Sequence, residues 1–283
     1  MIWVAWRQHR FEAAVAAVLL AVLTGYLIVS GLQAEALARQ LGLSSCDLTS
    51  SAGSTCSNAL TSYMDSFFGI SVLVRYVLIA LPALLGVFVA APLLAREVEN
   101  GTNMFIWTQS ITRTRWFWVK LLLLGGSAFS AAAAVSMVAQ WWQQPFNQMY
   151  ADGNWTFFDV VGPAPVAYAL FALALGVAAG TAIQRTVPAM AATLFIFVAA
   201  RFAVRLWRPW FEAPMTAQLP APAGILRGVL QIASPTVGEA QSYVVYQPAD
   251  RFWTFELIEM TIFLVPAVVL VVLTSWWVRH RVR

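Results

Sequence analysis

Residues 70–95 read ISVLVRYVLIALPALLGVFVAAPLLA, and one charge, Arg75, interrupts the apolar run. About 20 apolar residues suffice for a helix to cross ~30 Å of hydrocarbon, so this run exceeds what a bilayer needs. Prolines at 82 and 92 would break a soluble helix. In a membrane helix they are tolerated where neighbours satisfy the freed carbonyls, and they bend the rod. Further apolar runs near 12–31, 117–140, 163–183, 187–207 and 256–278 make six in all. The predicted fold is therefore an all-α polytopic membrane bundle, with residues 1–283 forming a single transmembrane domain.

Composition supports that class. The chain is 60% hydrophobic and 11% charged, with a mean hydropathy of +0.71, whereas a soluble domain carries roughly a quarter charged residues. The first run is near 20 residues, beyond the 7–15 of a signal-peptide core. It is read as a first helix that is kept.

An even number of spans puts both termini on one side. With the termini in the cytoplasm, the inner segments hold ten basic residues against three acidic ones, a balance of +7. The outer segments hold seven against ten, a balance of −3. The positive-inside rule then predicts cytoplasmic termini, and the expected location is the plasma membrane, crossed several times. The same asymmetry accounts for the net charge of +4 without nucleic acid.

Cys46 and Cys56 fall together in the first outer segment, where an oxidising environment permits a disulfide. Closing so short a loop contributes about 2–3 kcal/mol in the chain-entropy model. Two free redox-active thiols are the alternative, but Asp47 and the surrounding serines supply no electropositive neighbour.

At the N-terminus, Ile2, Trp3 and Trp6 sit at helical spacing, with Arg7 and Arg10 beyond them. That pattern predicts a short helix in the inner headgroup region, its arginines toward anionic phosphates; simple anchoring of the first span is the plainer reading. Gly176 and Gly180 form a GxxxG, read as close packing within the bundle rather than between copies. The long outer segment 208–255 is too polar to span, and GILRGVLQI (224–232) is read as a short surface helix.

Glu256 and Glu259 lie one turn apart at the start of the last span, and Arg201 and Arg205 one turn apart at the outer end of the fifth. Ion pairing between the two faces is one reading. A polar vestibule for a cationic or zwitterionic cargo, with Arg75 as a further contact or an outer-leaflet anchor, is the other.

Catalytic chemistry is hard to find. The only lysine, Lys120, follows aromatics rather than a glycine-rich loop, so no P-loop is present. No HExxH or Cys/His cluster offers a metal site. No G-x-S-x-G supplies a nucleophile. The middle of each span lacks ionisable residues, which ion-driven transporters commonly use to carry coupling charge. The chain is expected not to be an enzyme, with no cofactor of its own.

Between the second and third spans comes REVENGTNMFIWTQSITRTRW, residues 96–116. A basic anchoring loop accounts for Arg113 and Arg115. It leaves Glu97 and Glu99 unexplained against anionic lipid. A charged knuckle bent at Gly101, returning through an amphipathic coupling helix (103–110) to a cap at Thr112 or Thr114, suits docking of a soluble partner. REVENGT resembles the R-E-x-x-x-G-T coupling signature of permease subunits of ABC-2-type exporters, in particular the small six-helix actinobacterial ones. WTQSITRTRW continues that likeness, and WRQHR (6–10) is similar to their interfacial helix.

The resemblance implies that Arg96, Glu97, Glu99, Gly101 and Thr102 face a separate P-loop ATPase, two copies of which carry ATP and Mg. It implies a second permease copy or paralogue as well, and export of drugs, peptides or lipid-like amphiphiles. A non-transporting membrane scaffold or immunity protein that recruits a cytoplasmic partner is the alternative; it would tolerate replacement of Glu97 and Gly101.

Overall fold

The computed structural model describes residues 2–43, 54–99, 112–147, 153–220, 228–237 and 241–280. Helix α1 spans Ile2–Gln40. Helix α2, Ser54–Leu84, passes through a π-helical stretch, Leu85–Ala90, directly into α3, Ala91–Glu99. Then come α4 (Arg113–Trp142), α5 (Ala164–Ile183), α6 (Thr186–Trp207) and α7 (Phe252–His280). Six of these stretches are long and apolar enough to cross a membrane, with α2 and α3 counting as one. The all-α polytopic fold is confirmed.

Helix α5 is the hub. Most of its residues are buried, and α7, α6, α4 and the α2–α3 rod all pack around it. Its small residues set the spacing. A Cβ at Gly176 would lie 2.5 Å from the Gly86 carbonyl oxygen, and one at Gly180 2.5 Å from that of Ala91. The GxxxG therefore seats the π turn and the start of α3 against α5 at backbone contact, as internal packing requires. At the other end of this layer, Val278 near the end of α7 joins Leu93, Leu94, Trp116 and Phe117 in one cluster. The ends of α3 and α7 and the start of α4 thus share one face of the bundle, called here the terminal face.

The rods overshoot a bilayer. At 1.5 Å per residue the 39 residues of α1 reach about 58 Å. Their far ends, with the short turns Gln144–Phe146 and Gly153–Phe157, enclose an aromatic core of Tyr63, Phe67, Trp142, Phe146, Trp155, Phe157, Phe158 and Phe255. Two hydrogen bonds fix it: Tyr63 Oη donates to the Pro145 carbonyl at 3.0 Å, and Trp142 Nε1 to Ser30 Oγ at 3.0 Å. Sequence placed the second span at 70–95, but the helix already begins at Ser54 and packs against this core.

Three expectations change. Residues 2–10 and the first span are one helix rather than a separate interfacial helix and a span. No glycine or proline stands between Ile2 and Thr24 to break it. Residues 230–232 begin a strand rather than belonging to a surface helix: β1 (Met215–Pro220), β2 (Leu230–Val237) and β3 (Gln241–Gln247) form an antiparallel sheet in the order β1-β3-β2. The run SYVV of β3 has the β-branched and aromatic residues that favour a strand. Pro220 and Pro235 fall in the two edge strands, where a missing N–H is tolerated. The third change concerns the charged residues of the far face.

Candidate functional site

At the terminal face the α2–α3 rod ends in Arg96, Glu97 and Glu99. Arg96 and Glu99 are exposed. The Glu99 carboxylate accepts two hydrogen bonds from Thr186, one from its backbone N–H at 2.9 Å and one from its hydroxyl at 2.6 Å. Thr186 is the first residue of α6, so Glu99 satisfies an N–H that the helix itself leaves open. The side-chain and backbone bonds from Thr186 hold the Glu99 carboxyl below its ordinary pKa, with Arg185 adding to the effect.

A tight turn makes this possible: Gln184 takes the left-handed conformation (φ 57°) and closes α5 through its N–H to the Gly180 carbonyl at 3.1 Å. Of the two expected caps of α4, Thr112 serves. Its hydroxyl accepts from the Arg115 N–H at 3.4 Å. Behind it the Lys120 ammonium lies 4.7 Å from the centre of the Trp116 ring.

Gly101, Thr102 and the coupling helix expected over 103–110 lie outside the described residues, as do the side chains of Glu97, Trp3, Trp6, Arg7 and Arg10. The Cys46–Cys56 pairing lies outside them too, through Cys46 itself and the side chain of Cys56.

At the far face the charged residues form a closed network. Arg201 donates to Glu259 Oε1 at 2.8 Å and to Asp159 Oδ1 at 2.9 Å. Arg208 donates through Nε to Glu259 Oε2 at 2.8 Å, through Nη2 to Glu259 Oε1 at 3.0 Å, and to Asp159 Oδ1. Tyr168 Oη adds a bond to Glu259 Oε1 at 2.7 Å. Aromatic faces cover the cations, with the Arg201 guanidinium 3.5 Å from the Tyr168 ring centre and that of Arg208 4.1 Å from Phe158. Burial alone would raise the Asp159 pKa, but the charges and hydrogen bonds of Arg208 and Arg201 prevail and hold the carboxyl well below the usual range.

Glu256 stands apart. Fully buried, it accepts the Ala164 N–H at the start of α5 at 3.0 Å. It lies so close to Gly162 (φ +72°) that a Cβ there would come within 2.6 Å of its Oε2.

The sequence had set Arg201 beside Arg205. Arg205 is exposed instead, and Arg208 is the partner. On a helix the i+4 and i+7 positions diverge by about 40° and 20° to opposite sides of residue i. The face that α6 turns to α7 selects i+7. Asp159 and Tyr168 escaped the sequence reading, since nothing near them in the chain marks them as partners of residues 201–259. Arg75 is half-buried and donates to the Thr156 carbonyl at 3.3 Å, tying α2 to the turn before α5. With its two cations and two carboxylates paired internally, the far-face network acts as a latch on α5, α6 and α7.

A family model described as "ABC-2 membrane transporter related" matches residues 17–208. Neither the curated proteins nor the solved structures contain a match.

Proposed function

The chain belongs to the ABC-2 membrane transporter related family, and on that premise we propose that it is the membrane-spanning permease subunit of an ATP-driven exporter. The observation that carries this reading is the family match over residues 17–208, which runs from the first candidate span almost to the end of the fifth. ATP is hydrolysed on a separate P-loop ATPase, in two copies, with Mg. A second permease, the same chain or a paralogue, completes the path. The cargo is amphiphilic or hydrophobic: a drug, a peptide or a lipid-like molecule. Both termini are cytoplasmic, so the terminal face is the ATPase side.

The coupling route starts at residues 96–116. Arg96, Glu97, Gly101 and Thr102 meet the ATPase, and Gly101 supplies the bend. A push there enters α3, which is anchored in two directions. Ala91 bears on Gly180 of α5 at backbone contact, and Glu99 grips the first residue of α6. Movement of one knuckle therefore reaches the fourth and fifth spans together. At the far face the latch of Arg201, Arg208, Asp159 and Glu259 keeps α6 and α7 in register around α5. The expected result for Glu97→Arg is loss of coupled transport with membrane insertion intact; wild-type transport by that variant would remove the coupling role.

A further inference from the structure

A cavity of about 420 Å³ opens among α1, α2 with its π turn, α4 and α5. Leu78, Ala128, Val160 and Ala169 form its buried floor, while Leu19, Leu84 and Phe88 stand exposed at its mouth. Apart from Val160, every wall residue belongs to a segment long and apolar enough to cross a membrane. Among the described residues, Ser136 is the only polar side chain in the wall, and its hydroxyl already donates to the Gly162 carbonyl at 2.6 Å.

We propose that this cavity is a lateral binding site for one acyl chain of a bilayer phospholipid. A buried water needs two to four polar partners, and the only side chain here that offers one is Ser136, through its acceptor lone pairs. A polar headgroup would be desolvated without compensation. The occupant must bring hydrocarbon alone and leave its polar part elsewhere, as a phospholipid does with its headgroup at the interface. The mouth is flanked by exposed apolar residues of two spans, so the surrounding solvent is lipid, and lipid fills the site by mass action. The gain is close contact where the wall would otherwise face a void.

The site also has a structural reader. Leu85, Phe88 and Val89 of the π turn line the cavity, while Gly86 and Ala90 of the same turn press on α5. π-Helical turns are over-represented at functional positions. A bound chain braces this one on the face that carries Leu85, Phe88 and Val89. The inference goes beyond the permease reading and does not depend on an ATPase.

The test uses the purified full chain in phosphatidylcholine vesicles doped with a phosphatidylcholine that carries a diazirine on its acyl chain. After illumination, label is expected to concentrate on residues 19–23, 84–89 and 128–135, above that on the exposed face of α6 at Phe195 and Phe202. Ala132→Phe and Ala169→Phe, made separately, fill the cavity; each is expected to cut the cavity label several-fold and leave the α6 label unchanged. Even labelling of all membrane-facing segments of the wild type would overturn the proposal, and so would cavity label that neither variant reduces. Mass spectrometry of protein from its own membranes adds one more outcome: a bound non-lipid amphiphile, lost in the filled variants, would assign the cavity to cargo and overturn the phospholipid assignment.

Discussion

Arg205 and Arg208 stand three residues apart and have opposite fates: one is exposed, the other buried between two carboxylates. Removing one partner of a buried ion pair costs about 3–5 kcal/mol, because the charge left behind has no water to return to. Arg208→Ala is therefore expected to lower the thermal midpoint in detergent sharply. Arg205→Ala should stay within about 0.5 kcal/mol of wild type, as surface changes do. Equal effects of the two would contradict the latch.

Gly162→Ala belongs with the first of these. Its Cβ would drive into Glu256, and its positive φ disfavours any side chain. The Glu99–Thr186 tie has a defined pH signature. Glu99 has a lowered folded-state pKa, so folding favours its charged form. The contribution is complete above the ordinary glutamate range and is lost as the pH falls through the depressed folded value. The stability difference between wild type and Thr186→Val should be constant around neutrality and shrink only in acid, measured as thermal midpoint against pH.

These residues also show what one sequence can disclose. The acidic pair at 256 and 259 and the basic helix face at 201 were legible from helical spacing. The choice of Arg208 over Arg205 was not, because it depends on how α6 is rotated toward α7. Asp159 was not legible either, since its partners are 42 and 49 residues away.

Among the elements, the glycines of α4 and α5 give the clearest contrast. Nothing lies within 4 Å of a Cβ placed on Gly126, whereas one on Gly176 meets backbone and a methyl group at 2.5–2.9 Å. Gly126→Ala is expected to be neutral or stabilising by up to about 1 kcal/mol, through the entropy of the unfolded chain. Gly176→Ala is expected to destabilise by about 1–3 kcal/mol, the cost of overpacking. Unfolding of the two variants in one detergent, compared side by side, checks the sign of each.

The GxxxG was visible in the sequence as a packing signal. Its counterpart, a π turn between Pro82 and Pro92, was not, since a π turn leaves the apolar pattern unchanged. The sheet was missed for a related reason. Strands β1 and β2 carry weak alternation and a proline each, and only pairing with β3 makes them strands. The spans were legible because in lipid a long apolar run has essentially one solution, the helix.

For the whole molecule, the parts form one line of force. The α2–α3 rod runs from the far-face aromatic core to the terminal face, touching α5 by backbone contact on the way and α6 through Glu99 at its end. On the proposed permease reading, this rod is the route by which a push at residues 96–116 would enter the bundle.

The deciding measurement is a mild-detergent purification of the tagged chain from its native membranes, with the co-purifying proteins identified. A stoichiometric soluble ATPase with a P-loop, lost on Glu97→Arg, is the predicted result. Absence of any ATPase, with an extracellular protein or peptide retained instead, would contradict the permease reading and favour a membrane scaffold.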